Sequence, residues 1–345
     1  MKTIFVVDDN EVNRVSAKNA LENNYATYSL PSAAKMFTLM KKIVPDLILL
    51  DIEMPEMDGF AVLKELKADS RYKAIPVIFL TAKIDPAVEI RGFELGVIDF
   101  IGKPFSPPVL IRRIETHLET DRLIKKSVKA VHDLHFTTIG VIANMVESRD
   151  KITGKHIERT QAYLEILIEE LKKTGIYTDE ISTWDMSLVL PSAQLHDVGK
   201  IKISDTILNK AGKLTDEEFG IIKTHSAEGE KVIREIIQKT EEGDFLLHAK
   251  RFAGGHHEKW NGSGYPRGLS GEEIPLEGRI MAIADVYDAL VSERPYKKPF
   301  THEQAVEIIT KDSGTHFDPN IVKAFLSASN QFKEKAVELS KSEDK

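Results

Sequence analysis

The sequence contains no cysteine. That excludes disulfides and thiolate metal sites, so any metal here must be held by the nitrogen and oxygen atoms of His, Asp and Glu. It also lacks any apolar run approaching the roughly 18 residues that a membrane span needs. The opening MKTIFVVDDN reaches acids too soon for a secretory signal. Excess positive charge is missing as well: 47 Lys and Arg stand against 54 Asp and Glu, a formal charge of −7. Nucleic-acid-binding domains usually carry a basic patch, so that class is disfavoured. These absences predict a cytoplasmic chain with neither DNA nor membrane as partner. What is present, 42% hydrophobic and 29% charged residues over 345 positions, fits a soluble chain of two domains, each burying its own core.

Over residues 1–121, short β-rich apolar runs alternate with amphipathic stretches. The predicted strands are Thr3–Asp8, Ala26–Ser29, Asp46–Asp51, Ile75–Leu80 and Val97–Ile101; Glu11–Glu22 and Gly59–Lys67 show helical spacing. Such alternation predicts an α/β domain with a five-stranded parallel sheet covered by helices on both faces. Ligand chemistry then belongs at the carboxyl ends of the strands. Asp8 and Asp9 end the first strand, Asp51 the third, Thr81 follows the fourth and Lys103 the fifth. Three crowded carboxylates repel unless a hard divalent cation such as Mg²⁺ sits among them. Asp51 is then placed as a nucleophile toward a phosphoryl donor, with Lys103 neutralising charge and Thr81 bonding an oxygen. Acids also end strands simply to cap the next helix, but that account does not explain all five positions together. After Asp51, Pro55 and Gly59 are expected to supply the bends of DIEMPEMDG.

This stretch resembles a response-regulator receiver domain, a flavodoxin-like fold. The resemblance implies Asp51 as phosphoacceptor, Asp8 and Asp9 with Asp51 as Mg²⁺ ligands, and Thr81 with Lys103 as the switch pair. It also implies a cis peptide before Pro104, a reorienting aromatic at Phe100 and a sensor histidine kinase as partner.

Residues 122–137 read as a connector helix. Steps of four and three from Leu110 to Met145 meet apolar side chains at Leu110, Ile114, Ile124, Val128, Val131, Ile142 and Met145. His117, Asp121, His135 and Thr138 interrupt the seam. A helix that pairs two copies into a homodimer and two separate amphipathic helices both remain open.

From residue 138 to 328 the pattern is helical, without a credible strand. Three groups of histidines stand out: HDVGK at 196–200, HHEKWNGSGYP at 256–266, and the isolated His156, His225 and Asp285. Adjacent residues such as His196 and Asp197 point about 100° apart on a helix, so both reach one metal site only near a helix end, and Gly199 suits such an end. A carboxylate can bridge two cations, and two cations roughly 3.5–4 Å apart activate a water for in-line attack on phosphorus. His156, His225, His256, His257 and Asp285 supply the further donors. Lys200 is placed to hold a phosphate oxygen or assist a leaving group. The GSGYP loop reads as a flexible strap, with Gly262 and Gly264 allowing close approach and Tyr265 and Pro266 offering a flat surface to a base or partner. Arg294 and Lys297 place two cations within one turn, suited to an anionic phosphodiester or to an ordinary solvated helix end. His117, His132, His135, His248, His302 and His316 are expected to be ordinary surface or core histidines. Residues 329–345, rich in Lys and Glu, form a charged tail expected to fray.

The pieces ESRDKITGKH, HDVGKIKISD, ILNKAGKLTDEE, KTHSAEGE, HHEKWNGSGYP and ADVYDALVSERPYK resemble the HD-GYP subgroup of HD-superfamily phosphohydrolases, an all-α fold. The resemblance implies that His156, His196, Asp197, His225, His256, His257 and Asp285 bind two metals, commonly iron or manganese. It implies that Lys200, Tyr265, Arg294 and Lys297 approach the substrate. Ile152 stands where some members place a glutamate for a third metal, so two are expected. Pro191 is expected in the first turn of the ligand helix. The implied reaction is hydrolysis of cyclic di-GMP to pGpG, or onward to GMP, with Asp197 and Lys200 as catalytic residues and phosphorylation of Asp51 as control. A diguanylate cyclase or adaptor is a further implied partner at the GSGYP loop. Open alternatives are another cyclic dinucleotide such as 3′,3′-cGAMP and a binding module without turnover. A nucleotide phosphohydrolase is disfavoured by the GSGYP loop and RPYK.

Overall fold

The computed structural model describes residues 1–82, 85–149, 156–240, 243–293 and 298–341. The chain divides into two compact units, Met1–Val131 and His132–Lys345.

In the first unit five parallel strands, β1 (Thr3–Val7), β2 (Ala26–Leu30), β3 (Leu47–Asp51), β4 (Val77–Thr81) and β5 (Asp99–Gly102), stand in the order β2-β1-β3-β4-β5. β3 and β4 are buried along their whole length. That is why LILLD and VIFLT read as continuous apolar runs and not as alternating ones. The helices are α1 (Glu11–Leu21), α2 (Ala33–Met40), α3 (Gly59–Ala68) and α4 (Pro86–Glu94). Asn10, Ser32, Asp58 and Asp85 cap their N-termini through side-chain oxygens. Apolar clusters fill both faces of the sheet, around Phe5, Leu50 and Phe79 on one and Ile4, Leu49 and Leu80 on the other. The register pairs Asp51 with Leu80 and Thr81 with Gly102, so strand ends carrying Asp8, Asp51, Thr81 and Lys103 share one edge.

The expected bend after Asp51 is made differently. Glu56, not a glycine, takes the left-handed conformation at φ 66°. Gly59 is required by crowding, because an added Cβ would lie 2.5 Å from the Asp51 carbonyl oxygen.

A single helix, α5 (Pro107–Glu147), replaces the expected short connector. Its first seam residues, Leu110 and Ile114, are fully buried in the core of the first unit. Ile124, Val128, Val131, Ile142 and Met145 are exposed. The regular stripe therefore joins residues serving two different surroundings.

The second unit is helical. After the end of α5 come α6 (His156–Thr174), α7 (Thr178–Ile181), α8 (Met186–Ser192), α9 (Asp205–Leu208), α10 (Asp216–Ile237) and α11 (Asp244–Gly255). Then follow α12 (Leu276–Val291), α13 (His302–Lys311), α14 (Pro319–Ser327) and α15 (Ser329–Lys341). Leu164, Leu167 and Ile168 of α6 pack with Ile280 and Ile283 of α12 and with Ile321 and Phe325 of α14.

The sequence reading of 329–345 as a frayed tail is corrected over 329–341. α15 carries Phe332 into the core, where it stacks on Tyr163 at 5.0 Å between ring centroids and meets Tyr287 edge-on. One aromatic among charged residues is enough to dock the helix. Phe332→Ala should cost about 3–5 kcal/mol of stability, read as a shift of the urea midpoint at constant slope. An unchanged midpoint would return the segment to the status of a tail.

Candidate metal centre and phosphoacceptor site

At the strand edge of the first unit, donor atoms of Asp8, Asp9 and Asp51 lie within 4.8 Å of one another. Asp8 and Asp51 are buried and Asp9 is exposed. Lys103 Nζ is 2.7 Å from both Asp8 Oδ2 and Asp51 Oδ1. Burial pushes the Asp51 carboxyl up more strongly than Lys103 pulls it down, and Asp8 adds to the rise. The cluster fits a hard cation, since clustered carboxylates need positive charge beyond one ammonium. Thr81 is buried at the end of β4, the Lys103–Pro104 peptide is cis, and Phe100 is buried against Phe79 and Phe93. Arg14 was not foreseen: it donates to the carbonyl oxygens of Asp8 and Asp9 at 2.7 and 2.8 Å.

In the helical unit the sequence-predicted ligands come together in two groups. Donors of Asp197, His225, His256 and His257 lie within 4.8 Å of one another, as do those of His156, His196 and Asp285. His156 opens α6, His225 lies within α10, His256 and His257 follow α11, and Asp285 lies in α12. His196 and Asp197 sit in a turn between two short 3₁₀ segments, Ala193–Leu195 and Val198–Lys202. Pro191 therefore does not open a ligand helix. It falls near the end of α8, which Asp185 caps, and the chain beyond tightens into 3₁₀ turns. Gly199 is explained by packing: a Cβ there would run into the His225 carbonyl and the Gly229 amide of α10.

The imidazole tautomers follow from the neighbours. A carbonyl oxygen only accepts, so Nδ1–H of His196 donates to Ala193 at 2.9 Å, that of His225 to Ile222 at 2.7 Å, and that of His256 to Phe252 at 2.9 Å. Their Nε2 atoms then point inward. His225 Nε2 stands 3.4 Å from His256 Nε2, and His156 Nε2 stands 3.4 Å from His196 Nε2. Ring nitrogens facing each other at that distance, as two lone pairs or as two N–H groups, repel unless a cation is held between them, so the donor set fits metal ions with nitrogen and oxygen ligands.

Asp197 is the hinge of the arrangement. Its Oδ1 is 3.2 Å from His225 Nε2 and 3.7 Å from His256 Nε2, whereas Oδ2 is 3.5 Å from His196 Nε2. One carboxylate thus addresses both groups. Burial would push its pKa up, but Lys200, His196 and His225 outweigh that and hold it well below the usual range. Lys200 Nζ is 2.8 Å from Asp197 Oδ2. His196 is depressed by burial, yet Asp197 and Asp285 raise it to about 9, so a cation bound there would displace a proton. His257 is driven well below its ordinary value by burial and by neighbouring His256 and His225.

Tyr265 lies against His257, ring centroids 4.7 Å apart. Its loop is pinned, which corrects the flexible-strap reading. Buried Glu258 accepts from the amides of Arg267 and Leu269 at 2.8 and 3.0 Å, and the Trp260 and Asn261 amides donate to His316 and Thr315 at 3.0 Å each. Arg294, Lys297 and Ile152 lie outside the described residues. The histidines set aside do have ordinary partners: His117 with Asp99, His248 with Glu277, His302 with Tyr287, and His132 and His135 with Phe136. His316 stacks on Phe317.

Sequence reasoning missed Asp288. Its Oδ2 accepts from His156 Nδ1 at 2.7 Å, and its Oδ1 from Arg159 Nε at 2.7 Å. The available signal was its position one helical turn beyond Asp285.

Fold and site together define a response regulator with a helical phosphohydrolase-type output. Family comparison agrees: "Response regulator receiver domain" matches residues 4–115 and "HD domain" residues 140–321. The chain is 39% identical over 346 residues to a Vibrio cholerae protein named "Probable cyclic di-GMP phosphodiesterase", covering 96% of this chain and 78% of that one. It is 32% identical over 348 residues to "Cyclic di-GMP phosphodiesterase response regulator RpfG" of Xanthomonas campestris pv. campestris, covering 96% and 89%. It is also 37% identical over 254 residues to "3'3'-cGAMP-specific phosphodiesterase 2" of Vibrio cholerae, covering 72% and 46%. The chain belongs to the response regulators that join a receiver domain to an HD domain. No described helix is long and apolar enough to cross a membrane.

Proposed function

We propose that this response regulator works in the cytoplasm and that its output is an HD-GYP phosphodiesterase. It hydrolyses cyclic di-GMP to pGpG, or onward to GMP, with two divalent metal ions, iron or manganese. The observation that carries this reading is Asp197, whose two oxygens face two separate donor groups. His225, His256 and His257 would hold one ion and His156, His196 and Asp285 the other, with Asp197 between them. When bound, such a pair activates water and neutralises charge on a phosphodiester. Asp197 stays ionised throughout the useful pH range because of Lys200 and the histidines. The Lys200 ammonium, already at the site, is placed to take a phosphate oxygen or the departing oxygen. Tyr265 offers its ring face to a base, held in place by the Glu258-anchored loop. Arg294 and Lys297 would meet the phosphates. The names of the relatives support the substrate class.

On the receiver, Asp51 accepts the phosphoryl group from a sensor histidine kinase, with Mg²⁺ held by Asp8, Asp9 and Asp51. Lys103 then exchanges its bond to Asp51 for one to a phosphoryl oxygen, and Thr81 donates to another. Phosphorylation thereby alters output activity.

The test is turnover of cyclic di-GMP by anaerobically purified full-length protein loaded with Fe²⁺ or Mn²⁺. Linear pGpG or GMP is the expected product. Turnover of 3′,3′-cGAMP in its place would change the substrate assignment. Binding of cyclic di-GMP without turnover, with metal present and the receiver in either state, would make the domain a binding module.

A further inference from the structure

Two charged residues at the end of α5 touch the reaction-centre loop and have no part in the mechanism above. Arg149, just past the helix, spreads its guanidinium across that loop. Nη1 donates to the carbonyls of Ile201 at 3.0 Å and Lys200 at 3.4 Å. Nη2 donates to Ile203 at 2.9 Å and to Asp205 Oδ1 at 2.8 Å, and Nε reaches the same Asp205 oxygen at 3.1 Å. In return the Arg149 carbonyl accepts from Asn209 Nδ2 at 2.7 Å. These acceptors lie at the end of the 3₁₀ turn Val198–Lys202 and the start of α9, where a short turn leaves carbonyls without helical partners. A planar fork with five donors satisfies several of them at once, which a lysine cannot do.

Glu147, the last residue of α5, is only 6% exposed, and its Oε2 lies 3.9 Å from Lys200 Nζ. Lys200 is therefore held from three directions: by Asp197 at its ammonium, by the Glu147 carboxylate beyond, and by Arg149 at its backbone. None of these three contacts needs a metal ion. They place the ammonium at the carboxylate oxygen that addresses the His196 group.

We propose that Arg149 and Glu147 are positioning residues that fix Lys200 against Asp197, so that the end of α5 sets the geometry of the catalytic loop. The inference rests on the reading of Lys200 as a substrate-facing group. A merely structural Arg149 would alter stability alone. A positioning Arg149 alters the chemical step at constant metal content.

The experiment uses the full chain loaded with Mn²⁺ and compares wild type with Arg149→Ala, Arg149→Lys and Asp205→Ala. Three quantities are read: kcat and KM for cyclic di-GMP, bound metal per chain, and amide hydrogen exchange over residues 198–209. Arg149→Ala is expected to lower kcat by about 10- to 100-fold, the cost of a misplacement near 1 Å. KM and bound metal should stay near wild type, and exchange over the loop should become faster. Arg149→Lys should recover part of kcat, and Asp205→Ala, which removes one of four acceptors, should lose less than Arg149→Ala. Wild-type kcat and unchanged loop exchange in Arg149→Ala would overturn the proposal, as would a loss of activity that tracks loss of metal in all three variants. Absence of turnover in the wild type would overturn the phosphodiesterase reading and the positioning role with it, whereas unchanged loop exchange in Arg149→Ala beside an active wild type would overturn the positioning role alone.

Discussion

Asp197→Ala is expected to abolish cyclic di-GMP hydrolysis and to reduce bound metal from two ions per chain to one or none. This carboxylate is the group whose oxygens face both donor groups, at 3.2 Å from His225 and 3.5 Å from His196. Removing it leaves six candidate donors in two sets with no shared anion, and removes the carboxylate 2.8 Å from Lys200. A loss of several kcal/mol of transition-state stabilisation corresponds to about a thousandfold or more in rate, each 1.4 kcal/mol being about tenfold. The metal count separates causes. A variant that keeps two ions and loses turnover would make Asp197 a general acid–base group and not a bridge. A variant with wild-type turnover would remove the two-metal reading altogether. Folding of the variant is checked by its thermal transition, which the metal-free comparison keeps interpretable.

The receiver was legible because its chemistry and its periodicity coincide. Each predicted strand lies within a few residues of the observed one, since continuous apolar runs bounded by acids admit little else. Asp8, Asp51 and Lys103 converge because parallel strands put their carboxyl ends on one edge. The candidate metal donors were legible as residue types in motifs, and the structure brings them together in two groups. What escaped was long-range. The spacing of Asp288 one turn beyond Asp285 marks a shared helix face, but not that it will hold a histidine 132 residues earlier. Glu258 sits inside a motif already full of metal ligands, so its work as an acceptor for two loop amides was hidden by its neighbours. The same loop looked flexible because glycines relax the backbone locally, whereas a Cβ at Gly264 would collide with the Glu258–Lys259 backbone. Glycine there serves close packing. The error at Phe332 is of the same kind: composition averaged one buried ring into a charged segment.

Asp288→Asn is expected to weaken metal binding by about 10- to 100-fold, the range for a carboxylate behind a ligating histidine. Asp288 receives the Nδ1–H of His156 at 2.7 Å, which fixes the ring so that Nε2 faces His196 and Asp285. An asparagine can turn its amide toward Nδ1, making the opposite tautomer or a rotated ring equally favourable. The same carboxylate holds the buried Arg159 guanidinium, so the metal-free variant should also lose about 3 kcal/mol or more, as when one member of a buried ion pair is removed. The pH dependence has a definite sign. Burial alone would push the Asp288 carboxyl up, but the hydrogen bonds from His156 and Arg159 outweigh it and hold the group below its ordinary 3.8. A depressed folded pKa gives stability that is complete above the unfolded value and is lost as pH falls through the folded one. His156 behaves oppositely: burial lowers it, and Asp288 and Asp285 together raise it above its ordinary 6.5. Its contribution is complete below 6.5 and declines as pH climbs through the raised value. Metal-free wild type should therefore lose stability both below about pH 4 and on the alkaline side of 6.5, and Asp288→Asn should flatten both limbs. Urea midpoints measured across pH in chelator, together with metal titration of each protein, check this. A variant whose pH profile and metal affinity match wild type would show that Asp288 contributes packing alone.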